Sequence, residues 1–171
     1  YPQSLFTDAF ELARRHNIHR TVHAGEAMGA SSVWDALLLL GAERIDHGTR
    51  SIEDKQLVQY LVEKQIPLTQ CITSNILLGV VKDVQSHPFA SFYKDGVAVT
   101  LNTDDPQVFN TSLQDEYILV AEAFRLHKYD FAKIVFNGIY ASFANEETKK
   151  QLYDEFESEI KNLIEQTHPS I

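Results

Sequence analysis

Three apolar runs in this sequence stop abruptly in titratable residues beside glycine or proline. They are Thr21-Val22-His23-Ala24-Gly25-Glu26, Arg44-Ile45-Asp46-His47-Gly48 and Leu101-Asn102-Thr103-Asp104-Asp105-Pro106. Between them the apolar residues switch to helical spacing. Short strands separated by helices need crossover connections and so pair in parallel. Strands that deliver histidine and carboxylate at their C-terminal ends are how a parallel α/β barrel builds an active site. The pattern predicts part of an enzyme.

Taken in order, Leu5, Phe6, Ala9, Phe10, Leu12 and Ala13 predict a helix from Ser4 to His16, with Ser4 as its N-cap. Ile18 to Ala24 follows as a strand that Gly25 ends. Ser31 or Ser32 caps a helix over Val33 to Leu40, closed by Gly41. Arg44 to His47 is the next strand, and Ser51-Ile52-Glu53-Asp54 resembles a capping box for a helix from Ile52 to Lys64. A third strand runs from Leu68 to Thr73 and ends at Ser74-Asn75; Ile76 to Val84 reads as a loop with a helical turn. His87-Pro88 starts a brief helix that Asp95-Gly96 ends, and Val97 to Leu101 is the fourth strand. Helices over Leu113 to Phe124, Phe131 to Ser142 and Glu146 to Gln166 complete the chain, the last capped by Asn145. Four strands cannot close a barrel of eight, and a buried parallel sheet does not leave its edges bare. The alternatives are an open four-stranded α/β domain and half of a barrel.

Composition narrows the function. At 171 residues, 44% apolar, the chain is long enough for one domain with a sizeable core. Its net charge of −9 argues against a nucleic-acid surface. A single cysteine, Cys71, excludes an internal disulfide and points to a reducing cytoplasm. No apolar run reaches the length of a membrane span. The chain opens on Tyr1-Pro2 rather than Met, directly before a helix, so a fragment or processed piece is expected.

The strand ends supply the candidate chemistry. His23 and Glu26 flank a glycine at which the backbone bends, so both face one mouth: imidazole suits Zn2+ and the carboxylic acid suits proton donation. The competing reading is a core histidine beside a helix-start acid. His47 is a ligand, or a base that orients a metal-bound water, or structural. Asp46 is its helper, or faces the layer between strands and helices. Asp104 and Asp105 repel unless a cation or donor-rich ligand compensates them, and alternation aims them differently. One then binds metal while the other meets substrate; the alternative is a solvated Asp-Asp-Pro turn. Thr73, Ser74 and Asn75 read as structural support, Cys71 as a packed mid-strand thiol, and His16, His19, His87, His127 and His168 as solvated.

With Cys71-Ile72-Thr73-Ser74-Asn75, these segments resemble the adenosine deaminase family of metal-dependent hydrolases, its bacterial type most closely. The resemblance implies the C-terminal half, strands five to eight with their helices, of a TIM-type (β/α)8 barrel plus C-terminal helices. Residues 1–171 are then a single partial domain, without the N-terminal half and its His-x-His strand. It implies one Zn2+ per complete site, with His23 and Asp104 as metal ligands. Glu26 becomes the acid that protonates purine N1, and His47 the residue that activates and orients the zinc-bound water. Asp105 pairs with purine N7, and Gly25 joins it as a substrate contact. The implied reaction is hydroxide attack at C6 of adenosine or deoxyadenosine, releasing ammonia and inosine. No His-x-His occurs in this sequence, which leaves two ligands where catalytic zinc sites have at least three.

Two rivals remain. Adenine deaminases of the same superfamily share the Arg-Ile-Asp-His-Gly stretch but carry Ser-Asp-Asp where Thr103-Asp104-Asp105 stands here. A catalytically incomplete half-barrel that binds or assembles with a partner is the other. The expected partners are a purine nucleoside and either the missing half-barrel or a second copy of this chain, with no nucleic acid and no membrane.

Overall fold

A computed structural model of the protein describes residues 2–166. Strands β1 (Thr21–Ala24), β2 (Arg44–His47), β3 (Leu68–Gln70) and β4 (Val99–Leu101) form one sheet in the order β1-β2-β3-β4. Every neighbouring pair is parallel, and His23 lies level with Asp46, Ala24 with His47, and Gln70 with Leu101. The expected β–α alternation is therefore the fold observed.

The two faces of the sheet differ, because successive side chains alternate. Val22, Ala24, Ile45, Leu68, Val99 and Leu101 are buried in the main core. There they join Val33 and Ala36 of helix α2 (Ala30–Leu38), Leu57 and Leu61 of α3 (Lys55–Lys64), and Phe89 and Phe92 of α5 (Phe89–Asp95). Ile45, Leu57, Leu61, Leu68, Phe89 and Phe92 are wholly buried, each worth about 1.5–3 kcal/mol over an exposed position. The other face carries Thr21, His23, Arg44, Asp46 and Thr69 and stays partly open.

Several helix starts depart from the sequence expectations. Ser4 lies inside a 3-10 turn (Gln3–Phe6) and α1 (Thr7–Arg15) begins later, so Ser4 is not its cap. Ser31 and Ser32 sit within α2, which starts after Gly29, because the Ser32 hydroxyl is engaged by Gly25 N–H and donates to the Gly29 carbonyl. Residues Thr49–Glu53 form a 3-10 turn, and Asp54 caps α3 by accepting from the amides of Gln56 and Leu57. The third strand stops at Gln70, and a helix, α4 (Ile72–Leu77), replaces the expected strand end. The carboxylate of Glu116, on α7 (Leu113–Phe124), accepts the first amides of that helix, Ile72 and Thr73, at 3.1 and 3.3 Å.

A short helix, α6 (Pro106–Phe109), follows β4. Helix α8 (Lys128–Ala141) packs on β4, and its Asn137 amide donates to the Val99 carbonyl on the edge away from β3. Helix α9 (Glu146–Gln166) starts as expected, Asn145 accepting from Thr148 N–H at 2.8 Å. Among the described residues no helix is long and apolar enough to cross a membrane.

Candidate functional site

The loops that leave β1, β2 and β4 turn sharply. Gly25 follows β1 with φ +66°, and a Cβ there would lie 2.6 Å from Val33 Cγ2. Its N–H donates to Ser32 Oγ and its carbonyl accepts from Arg50 N–H, so both backbone groups serve the turn. The turn returns Glu26 to the site, its Oε1 3.4 Å from His47 Nδ1. His47 ends β2 with φ +66°, and the side-chain amide of Gln70 donates to its carbonyl. Asp104, past β4, has φ +60°, and the Ser74 hydroxyl donates to its Oδ2 at 2.6 Å.

His47 is the centre of the arrangement. It is 2% exposed, with Nε2 3.8 Å from Asp104 Oδ2 and its ring centroid 5.1 Å from that of His23. His23 and Asp46 stand side by side on the open face, Nδ1 to Oδ2 3.7 Å. Asp46 therefore does not face the layer between strands and helices, and the hydroxyls of Thr21 and Thr69 hold its carboxylate. A cavity of about 480 Å³ is lined by His23, Arg44, Asp46, His47, Cys71 and Asp104, among others. Glu26 lies on the far side of His47, bordering a second opening with Arg50 and Glu53. Asp104 lines the cavity and Asp105 does not; both lie past the end of β4, in a turn where Asp104 has a positive φ.

Burial holds the His47 imidazole below its ordinary pKa and the charge of His23 adds to this, against the carboxylates of Glu26, Asp104 and Asp46. The site therefore contains a neutral imidazole among acids. Burial, reinforced by Asp104, Glu116, Asp46 and Glu26, pushes the Cys71 thiol well above its usual range. Donor atoms of His47, Cys71 and Asp104 lie within 4.8 Å of one another. His23 and Asp104, both in the cavity lining, offer an imidazole nitrogen and a carboxylate oxygen, a donor pair that fits zinc.

Several contributors were misread or missed in the sequence. His87, expected to be solvated, is 3% exposed, and burial lowers its pKa to about 4. It bonds Asn75, which in turn reaches His47. Ser74 and Asn75 are therefore direct partners of the site residues. Cys71 is not mid-strand but at the entry to α4, and is buried as expected. Glu116 carried one signal: it falls at helical spacing with Val120 and Phe124, an acid on an otherwise apolar face. His16, His19 and His127 are exposed, whereas His168 lies outside the described residues.

A parallel β–α array whose strand ends gather histidines and carboxylates around one cavity has the architecture of half a (β/α)8 barrel enzyme. The family model for adenosine deaminase matches residues 1–159, and the chain belongs to that family. It is 41% identical over 171 residues to an adenosine deaminase of Clostridium kluyveri, covering 99% of this chain and 48% of that protein. An adenine deaminase structure from Arthrobacter aurescens superimposes with TM-score 0.90 at 36% identity, over 94% of this chain and 49% of that one. An amidohydrolase from Burkhoderia ambifaria, solved with bound Zn, superimposes with TM-score 0.89 at 26% identity, over 96% and 46% respectively. The chain thus spans about half the length of the relatives it matches.

Proposed function

We propose that the protein carrying this chain is a purine deaminase that converts adenosine, and deoxyadenosine, to inosine and ammonia. The observation that carries the reading is His47 held between Glu26 on its Nδ1 side and Asp104 on its Nε2 side, at the wall of a cavity it shares with His23. The 41% identity to an adenosine deaminase supports the nucleoside as substrate. Likeness to the adenine deaminase of Arthrobacter aurescens favours free adenine as the second reading.

His23 and Asp104 hold the metal in this reading, and residues outside the chain complete the set of three or more ligands that catalytic zinc requires. Zinc, when bound, supplies the Lewis acidity that makes water a nucleophile near neutral pH. The chain's own residues do the rest. His47 orients the attacking oxygen toward C6. Glu26 gives a proton to N1 as the C6–O bond forms, which keeps negative charge off the ring. The C6–N6 bond then breaks; one proton of the attacking water leaves with ammonia and the other restores Glu26. Asp105 pairs with the purine at N7, and Gly25 gives the purine a wall without a side chain. Residues 1–171 form one partial domain that the rest of the barrel completes, covering the polar face of the sheet. This occurs in the cytoplasm.

Steady-state rates of the complete protein with adenosine, deoxyadenosine and adenine test the assignment. Adenosine is expected to have the highest kcat/KM. A preference for adenine transfers the reading to the second substrate, and no turnover of any of them removes it.

A further inference from the structure

We propose that His87 and Asn75 form a positioning relay that fixes which nitrogen of His47 carries its proton, so that His47 presents Nε2–H toward Asp104. The inference deepens the function proposed above and rests on His47 being the residue that faces the attacking oxygen.

The relay starts from a group whose role cannot change. The backbone N–H of Phe89, at the start of α5, points at His87 Nδ1 at 3.1 Å. A backbone N–H only donates, so Nδ1 is bare, and a neutral His87 carries its proton on Nε2. Burial keeps His87 neutral, with its pKa near 4. The Nε2–H faces Asn75 at 3.1 Å, and the Asn75 atom receiving it must be the acceptor, Oδ1. The Thr49 hydroxyl donates to the same oxygen. The amide orientation of Asn75 is thereby set by chemistry.

The other end of the amide, Nδ2, then faces His47 Nδ1 at 3.2 Å and Glu26 Oε1 at 3.5 Å. Two donors cannot share a hydrogen bond, and Glu26 Oε1 lies farther from His47 Nδ1, at 3.4 Å, than the Asn75 amide does. Nδ1 is therefore bare, and the proton of the neutral ring sits on Nε2, 3.8 Å from Asp104 Oδ2. Reversing the amide would set two N–H groups against each other at His87, in a pocket where Asn75 is fully buried and His87 and His47 nearly so. An unmade hydrogen bond there has no water to replace it. The relay thus gives His47 the role of donor to the attacking oxygen, with its lone pair turned away toward Asn75.

Nuclear magnetic resonance of the complete protein, 15N-labelled at the histidine rings, reads the protonated nitrogen of each ring directly. Signals of His47 and His87 are assigned by their loss in His47→Gln and His87→Gln. Both rings are expected to show a bare Nδ1 and a protonated Nε2. His87→Gln retains an N–H donor for Asn75 Oδ1 and should leave His47 as Nε2–H, with turnover within a few fold of normal. His87→Leu removes the donor, and should give His47 a mixed or Nδ1–H population with turnover lower by about 10- to 100-fold, as is usual for outer-shell partners. Asn75→Asp should draw the proton of His47 to Nδ1. Finding Nδ1–H on either ring of the unsubstituted protein overturns the relay. So does an unchanged Nε2–H on His47 in both His87→Leu and Asn75→Asp. The spectrum does not depend on turnover, so a protein with the expected tautomers and no purine deamination would defeat the proposed function alone.

Discussion

His47 and Asp104 meet across the cavity, Nε2 to Oδ2 3.8 Å, and each holds a left-handed backbone conformation, φ +66° and +60°. Four other described non-glycine residues share that conformation: Asn17 just past α1, and Gln65, Asn110 and Arg125 at helix C-caps, where it is ordinary. At His47 and Asp104 no helix end requires it. Such backbone costs on the order of 1–3 kcal/mol per residue and persists where surrounding structure enforces it. Here Gln70 holds the carbonyl of His47, and Ser74 holds the carboxylate of Asp104. The two strained residues are also two of those predicted to do chemistry.

Asp104→Ala removes the one carboxylate among the fitting donors, and it should abolish metal retention in the complete protein. Elemental analysis after dialysis is the measurement. Full occupancy in the variant would take Asp104 out of the ligand set. Asp105→Ala is the counterpart: it removes the group that pairs with N7 and should weaken purine binding while leaving the metal in place, since Asp105 lies outside the cavity lining.

Glu26→Gln keeps size and polarity and removes the dissociable proton. Turnover should fall by about 100- to 10,000-fold, the usual worth of a positioned general acid. Metal content and the affinity for a ground-state purine should change little, because Glu26 belongs to neither set. Normal turnover in this variant would remove the acid from the scheme.

Gly25→Ala meets two obstacles, a positive φ and Val33 Cγ2 only 2.6 Å from the new methyl. A loss of at least about 1–3 kcal/mol is expected from denaturant midpoints. Gly138, within α8, supplies the control: a Cβ there meets nothing within 4 Å. Gly138→Ala should stabilise the helix by about 0.5–1 kcal/mol. Equal effects at the two positions would mean that the turn after β1 is not conformationally demanding.

The four strands, and the ends of the first, second and fourth, were legible because local pattern determines them: apolar runs with abrupt polar stops. Strand β2 and helices α7 and α9 fall on their expected bounds. Helix α4 was not legible. Ile72, Thr73 and Ile76 resemble strand residues, and what makes the segment helical is Glu116, 44 residues from Ile72, satisfying its first amides. His87 was misread for a similar reason. Its neighbours in sequence suggest a loop, while the groups that bury and bond it include Asn75, 12 residues away. Local spacing reveals which residues end a strand, but not which side chains converge behind them.

His87 also predicts how the protein responds to acid. Its folded pKa, about 4, lies below the ordinary 6.5 because burial penalises the charged ring, with the nearby His47 adding to this. Below pH 6.5 the unfolded chain binds a proton at this position that the folded protein refuses. Stability contributed by the neutral ring is therefore complete above pH 6.5, falls as the pH drops, and is lost once the pH passes about 4. The difference amounts to about 3 kcal/mol across that window. His87→Gln, which cannot ionise, should flatten this part of the stability profile and leave the variant more resistant to unfolding at pH 4 than its stability at pH 7 would suggest. Urea midpoints from pH 7 to 4 measure the slope in both proteins. Parallel profiles would show that His87 is not the group that makes the fold acid-sensitive, and that it is charged or solvated in the folded protein.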